Sequence, residues 1–296
     1  MRVAVLTCRR LPSFVTWEIP DVPALFEDDR RLIAAFHAQG DEATSVVWSD
    51  EIAWRDYDLA LPRSTWDYID DRAGFLAALA AIDQSPCRLY NPLDAVRWNS
   101  DKSYLLDLAA WGVPIVPTLP SGPAGATQLQ QQAIEAGWGR VVLKPRVGAG
   151  AADVRLIPTS NITKTLTELV TAHPHRPFLL QPLIESVISE GEWSFIFIAG
   201  VFSHALLKRP APGDFRAHGI YDGIVAPITP TPADLAQAKA IVAALPFDLL
   251  YARLDLVRIE NRLAIMELEL IEPMLYFDQA PAAAGRLARA VRSRVG

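Results

Sequence analysis

Apolar and polar residues fall in short blocks over the first ninety or so positions, and the period of the pattern keeps switching. Residues 3–6 form a continuous apolar run of strand length. Residues 27–39 carry apolar positions at helical spacing and stop at Gly40. Residues 43–48 and 57–61 return to strand patterning, 70–82 are helical, and 87–90 form a short strand closed by Asn91-Pro92. Strands alternating with helices predict an α/β unit on a parallel sheet. Residues 94–112 then read as one helix, stopped by Gly112-Val113-Pro114. Further on, the pattern predicts a helix over 127–136, strands at 140–145 and 178–183, a hairpin over 193–207 turning at Ala199-Gly200, and a helix over 234–245. An amphipathic helix over 281–295, with arginines on one side, closes the chain.

The most telling run is Ile265-Met266-Glu267-Leu268-Glu269-Leu270. It is apolar and strand-like, so Glu267 and Glu269 point to the same face, roughly 7 Å apart along the chain. Asp255 lies in an earlier strand-like run over 251–257, and Glu260-Asn261-Arg262 reads as the turn between them. A hairpin would bring three carboxylates together. Like charges on one buried face are costly unless a cation lies between them. Hard oxygen ligands on a rigid sheet suit magnesium, shared with a nucleotide's phosphates. The alternative is that one glutamate faces solvent at a sheet edge.

Composition narrows the classes of function. The chain has 296 residues, 51% hydrophobic, enough for two or three units with a substantial core. Net charge is −6 without a basic block, which argues against a nucleic-acid partner. Cys8 and Cys87 have no metal-type spacing, and with no signal-peptide layout at the start a cytoplasmic setting is expected. The longest apolar stretch, 193–207, is too short and too polar to span a membrane. Five lysines stand against 23 arginines, and Lys102, Lys144 and Lys208 all fall within candidate motifs.

Val141-Val142-Leu143-Lys144 runs into the small-residue loop Gly148-Ala149-Gly150-Ala151. Such a loop lets backbone N–H groups approach an anion, and Lys144 adds a fixed charge. It lacks the Gly-Lys-Ser/Thr of a Walker loop and the helix of a dinucleotide fingerprint, and a plain hairpin loop is the alternative. Lys102 sits on the 94–112 helix, as a phosphate contact or a solvated lysine. Gln181-Pro182-Leu183 ends an apolar strand at a hinge, with Glu192 following; this is an adenine edge with a ribose carboxylate, or a core strand with a surface loop. Residues 208–218 read as a loop between strands, carrying Lys208, Arg209 and Arg216 and ending at His218. It could clamp a phosphoryl group or be a solvated surface loop. In the first unit, Arg63 could hold a substrate carboxylate beside Ser64, Thr65 and Asp67, since ligands bind beyond strand ends in such sheets. A structural corner explains these residues equally. Thr16-Trp17-Glu18 is a second candidate substrate segment.

Taken in order, these motifs resemble those of an ATP-grasp ligase, over roughly residues 91–281. The resemblance implies an α/β (α+β) fold: an N-terminal doubly wound α/β domain over 1–92, a central lid over 93–185 and a catalytic part over 186–296, with antiparallel sheets sandwiching the nucleotide. It implies ATP and Mg2+ as cofactors. Lys102 and Lys144 would hold phosphates under the loop Gly148, Ala149, Gly150, Ala151. Gln181, Pro182 and Leu183 would line adenine, and Glu192 would hold ribose. Arg216, with Lys208 and His218, would act on the transferred phosphoryl group and the acyl phosphate. Asp255, Glu267 and Glu269 would bind magnesium. Glu269 stands where relatives commonly carry asparagine, and His218 where many carry asparagine after Arg-Ala. Within the family, Leu143–Gly150, Gly213–His218 and Met266–Pro273 look most like the D-cycloserine synthetase branch, whose members close O-ureido-D-serine into a ring. The implied activity is ATP-driven ligation through an acyl phosphate, on a small amino-acid-like substrate, by a monomer or homodimer. An intermolecular carboxylate–amine ligase and a non-catalytic ATP-binding module are the alternatives.

Overall fold

The computed structural model describes every residue except 18, 20, 122–124, 175, 218–222 and 296. His218 and Glu18, both expected near the site, lie outside the described residues.

The first unit contains β1 (Arg2–Thr7), α1 (Val22–Leu25), α2 (Glu27–His37), β2 (Glu42–Val47), β3 (Leu59–Ser64), α3 (Arg72–Asp83) and β4 (Arg88–Leu89). The sheet order is β2-β1-β3-β4 and each pair is parallel. β3 is buried along its whole length, because a central parallel strand is covered on both faces. The Asp71 side chain accepts the Gly74 N–H and starts α3.

The expected single helix over 94–112 is broken into α4 (Leu93–Asn99) and α5 (Tyr104–Ala110), and Lys102 lies in the break. Asp101 explains the interruption: its carboxylate accepts the Ser103 N–H and both arms of the Arg146 guanidinium, while the Lys102 N–H donates to the Arg146 carbonyl at 2.8 Å. Tertiary partners thus replace the helical hydrogen bonds of this turn.

A second sheet follows, from β5 (Leu119–Pro120), α6 (Gly125–Glu135), β6 (Arg140–Pro145), β7 (Arg155–Pro158), α7 (Ile162–Ala172) and β8 (Phe178–Pro182). Its order is β5-β8-β6-β7, antiparallel throughout. Leu129 of α6 and Leu166 and Leu169 of α7 bury its back against Val141, Leu143, Phe178 and Leu180. α7 was absent from the sequence reading, although Ile162, Leu166 and Leu169 carry a helical period; its threonines depress helix propensity, and packing supplies the remainder.

The third sheet is built from β9 (Glu192–Ile198), β10 (Val201–Arg209), β11 (Ile224–Ile228), β12 (Tyr251–Ile259) and β13 (Arg262–Glu269), in the order β11-β10-β9-β12-β13, all antiparallel. The short α8 (Glu185–Ser189) precedes it, and α9 (Pro232–Ala243) is inserted before β12. Thr231 caps α9 by accepting the Asp234 N–H, with Pro232 at the first helical position. Alternate residues serve two cores: Phe195, Phe197 and Leu254 face one side, Ile196 and Ile198 the other. The second core also takes Leu287 and Val291 of α10 (Ala282–Val295) with Leu32 and Phe36 of α2, so the end of the chain packs onto the first unit. No described helix is long and apolar enough to cross a membrane.

Lys208 is a correction to the expected cationic loop. It lies in strand β10, fully buried, because Glu192 on the adjacent β9 and Asp255 on β12, one strand further, supply the opposite charge that burial demands. Gly191, just before β9, has φ +117, and a Cβ there would lie 2.7 Å from the Lys208 carbonyl oxygen; only glycine permits this approach.

Candidate active site

A cavity of about 880 Å³ opens where the second and third sheets meet the loops of the first unit. That is within the usual range for ligand sites, about 300–1,000 Å³. One wall is β12 and β13. They form the expected hairpin, and their register sets Asp255 opposite Glu267 and Arg253 opposite Glu269. A bulge then slips the register, so that Leu256 faces Ile265 and Met266 is the extra residue. Met266 and Glu267, consecutive in sequence, therefore both line the cavity.

The acidic residues are tied to named cations. Glu267 pairs with Lys102 at 2.8 Å, and the Lys102 ammonium also donates to the Gly148 carbonyl at 2.6 Å. Glu269 pairs with Arg253, which also holds Asp255 at 2.9 Å and donates to the Met274 carbonyl at 3.1 Å. Asp255 further accepts from the Ser194 hydroxyl and lies 3.1 Å from Lys208. Burial alone would raise Asp255; Arg253 and Lys208 hold it far below the usual carboxylate range. Glu269 is pushed up to about 7 by burial, with Arg253 opposing. Glu272 is pushed up to about 8 by burial and the charge of Glu269. The wall thus carries more carboxylate than its own basic residues neutralise comfortably.

The opposite wall is β6 with its loop and the end of β8. Lys144 and the loop Gly148–Ala151 line the cavity. Gly150 and Ala151 have positive φ, 59° and 56°, which turns the loop back over the cavity. Burial brings Lys144 down to about 8 against the pull of Glu267. Gln181, Pro182 and Leu183 line it too, and Gln181 donates to the Thr118 hydroxyl at 2.9 Å. Glu192 reaches the cavity with its carboxylate engaged by Lys208. Arg216 also lines it, and its guanidinium is held by both oxygens of Asp214.

The substrate segment departs from expectation. Arg63 is only 2% exposed and donates to the Pro273 carbonyl at 2.6 Å, with its guanidinium carbon 5.0 Å from the Tyr251 ring centre. Ser64 donates to Asp29 and shares a hydroxyl–hydroxyl hydrogen bond with Thr7, Thr65 is fully buried, and Asp67 accepts the Trp48 indole N–H at 2.5 Å. None of these four reaches the cavity, so the structural-corner alternative holds for them. β3 is a central strand, and its end stays under cover. A 3₁₀ turn, Trp66–Ile69, then swings Trp66 and Tyr68 to the surface of the cavity, and Trp17 joins them. Sequence reading missed Arg253, Glu272, Tyr68 and Tyr276. Arg253 had a signal, since it lies two residues before Asp255 and thus on the same face.

Among the described residues no three acidic, histidine or cysteine side chains converge as a metal cage. The donor chemistry still fits magnesium. Asp255, Glu267 and Glu269 share a face, all are oxygen donors, and each is shared with a basic group that phosphates could also attract.

Comparison with known proteins agrees with this architecture. Residues 3–91 match the family model "D-cycloserine synthetase DcsG, N-terminal domain", and 123–273 match "Prokaryotic glutathione synthetase, ATP-grasp domain". The cycloserine biosynthesis protein DcsG of Streptomyces lavendulae is 32% identical over 292 residues, spanning 89% of this chain and 92% of that protein. The crystal structure of D-cycloserine synthetase DcsG superposes with a TM-score of 0.86 at 28% identity, covering 100% of both chains. D-alanine–D-alanine ligase of Bacillus anthracis, solved with ATP, shares the fold at a TM-score of 0.71 and 16% identity, over 100% of this chain and 97% of that one. The chain belongs to the D-cycloserine synthetase family of ATP-grasp enzymes, ATP-dependent ligases that form C–N bonds.

Proposed function

We propose that this ligase activates the carboxylate of O-ureido-D-serine with ATP and closes the molecule on itself, giving D-cycloserine, ADP and phosphate, with one water consumed and the carbamoyl group released as carbon dioxide and ammonia. The observation that carries this reading is a single shared cavity. Lysines, small-residue loop and carboxylates line it together with Trp17, Trp66 and Tyr68 of the first unit. Residues 3–91, the part that matches the D-cycloserine synthetase N-terminal domain, supply those aromatic groups.

In this mechanism a substrate carboxylate oxygen attacks the γ-phosphorus of ATP, and ADP leaves. The oxygen-bound ureido nitrogen then attacks the acyl carbon, loses its proton, and phosphate departs. Water then cleaves the bond between the ring nitrogen and the carbamoyl carbon; the nitrogen regains a proton and the carbamic acid released decomposes to carbon dioxide and ammonia. Holding both ends of one molecule in a single pocket replaces a bimolecular encounter with an oriented intramolecular attack. Lys102 and Lys144 are assigned to the ATP phosphates, with Gly148–Ala151 as their cover. Gln181–Leu183 are assigned to adenine and Glu192 to ribose. Asp255, Glu267 and Glu269 would hold Mg2+, which would neutralise phosphate charge. Arg216 is assigned to the transferred phosphoryl group. Lys208 is sealed between Glu192 and Asp255, so its revised role is to fix those carboxylates.

The test is ATP-dependent phosphate release with O-ureido-D-serine as sole acceptor. Turnover without any added amine is expected. Turnover only when a carboxylic acid and a separate amine are mixed would replace cyclisation with intermolecular ligation. ATP binding without turnover on either would leave a binding module.

A further inference from the structure

Glu272 lines the cavity, within the field of Glu269 and Lys102, yet makes no direct ion pair among the described residues. Glu267, Glu269 and Glu192 each have a basic side chain at ion-pair distance: Lys102, Arg253 and Lys208. Glu272 has no such partner among the described residues. Its backbone is firmly set. The Tyr251 hydroxyl is shared between the Pro62 carbonyl at 2.6 Å and the preceding carbonyl, of Ile271, at 2.9 Å, and Arg63 donates to the following one, of Pro273, at 2.6 Å. Tyr68, 5% exposed, lines the same cavity, and its phenol is within hydrogen-bonding reach of the Glu272 carboxylate. Asn99 is on the same wall, with its amide oriented by the Leu268 carbonyl and the Leu270 N–H. Trp17 and Trp66 add aromatic faces to the same cavity.

A rigid, partly buried carboxylate with no cation of its own calls for one from the ligand. One carboxylate beside a neutral phenol offers a metal less anionic oxygen than the Asp255, Glu267 and Glu269 face, to which magnesium is already assigned. They do suit an ammonium, whose three donors need acceptors, and aromatic faces favour a cation further. We propose that Glu272, with the Tyr68 phenol beside it, is the subsite for the α-ammonium group of the acid substrate. This assignment rests on the reading of the cavity as a ligase site for a small amino acid.

The experiment compares O-ureido-D-serine with 3-(ureidooxy)propanoate, the same molecule without its amino group. Wild type, Glu272→Gln and Tyr68→Phe are assayed for phosphate release. Wild type should prefer the amine-bearing substrate by about thirtyfold or more in kcat/KM. Glu272→Gln should erase most of that preference through KM, and Tyr68→Phe part of it. The ATP dissociation constant and the Mg2+ activation constant should stay unchanged. A retained preference in Glu272→Gln overturns the subsite, as does a shift in magnesium activation. A parallel readout needs no turnover: thermal protection by D-serine against 3-hydroxypropanoate, with Mg2+ and a non-hydrolysable ATP analogue present. If ureido-serine is not turned over but D-serine protection still requires Glu272, the reaction assignment falls and the subsite stands. Equal protection by both acids in wild type, or none by either, removes the subsite.

Discussion

The carboxylate of Asp28, on α2, accepts the backbone N–H of Tyr276, 248 residues further along the chain, at 2.9 Å. The same carboxylate takes the N–H groups of Leu275 at 2.6 Å and Phe277 at 2.8 Å. Tyr276 has φ +52, a left-handed conformation that a tyrosine holds only when its surroundings enforce it. Met274 and Tyr276 line the cavity, so a residue of the first unit shapes a wall built by the last.

Replacing Asp28 by alanine should therefore leave three buried donors unpaired and cost about 3 kcal/mol of stability. KM for the acid substrate should rise further than the ATP dissociation constant. Asp28→Asn keeps an acceptor oxygen and should recover most of both losses. Urea denaturation and steady-state kinetics check this. Unchanged kinetics in the alanine variant would show that the 275–277 segment needs no such support.

Lys144 makes nucleotide binding pH-dependent. With burial bringing it down to about 8, the free enzyme loses this charge as pH rises through that value. Phosphates favour the charged form, so ATP should bind with proton uptake near pH 8 and more weakly above it. Titration calorimetry in buffers of different ionisation enthalpy measures the uptake. Lys144→Arg should abolish it, because arginine stays charged throughout.

Asp29 is predicted to limit stability at neutral pH. Burial raises its carboxyl from 3.8 to about 6, against the attraction of Arg63. A folded value above the unfolded one means the native state binds the extra proton. Its contribution is complete below pH 3.8 and is lost as pH rises through 6, by about 3 kcal/mol. Asp29→Asn should be more stable than wild type at pH 7, with the gap closing towards pH 4. Melting curves across that window check the sign.

Glu267 and Asp255 should respond differently to loss of charge. Glu267→Gln should stay folded and lose about a hundredfold or more in turnover, with a raised Mg2+ requirement. Asp255→Asn breaks a buried network with Lys208, Arg253 and Ser194, and should also destabilise the fold by about 3–5 kcal/mol. Circular dichroism melts beside the activity assay separate the two effects.

Arg216→Ala should abolish phosphate release while ATP still protects against unfolding, since Arg216 is assigned to the transferred group rather than to nucleotide anchoring. Loss of ATP protection would move Arg216 into the nucleotide site.

Period and punctuation were enough for much of this molecule. Alternation put Glu267 and Glu269 on one face, the turn at Glu260-Asn261 made the hairpin, and the Asp255 partner followed. Those inferences are local, because strand geometry and turn chemistry act within a few residues. The ordered motifs carried the family resemblance for the same reason. Lys102, Lys208 and Arg63 were decided otherwise. Arg146 and Asp101 pulled Lys102 out of its helix, Glu192 and Asp255 drew Lys208 into a buried strand, and Pro273 took the hydrogen bond that Arg63 was expected to offer a ligand. Each partner is distant in sequence. A buried charge goes where an opposite charge or a carbonyl can satisfy it, and only the assembled fold fixes where that is.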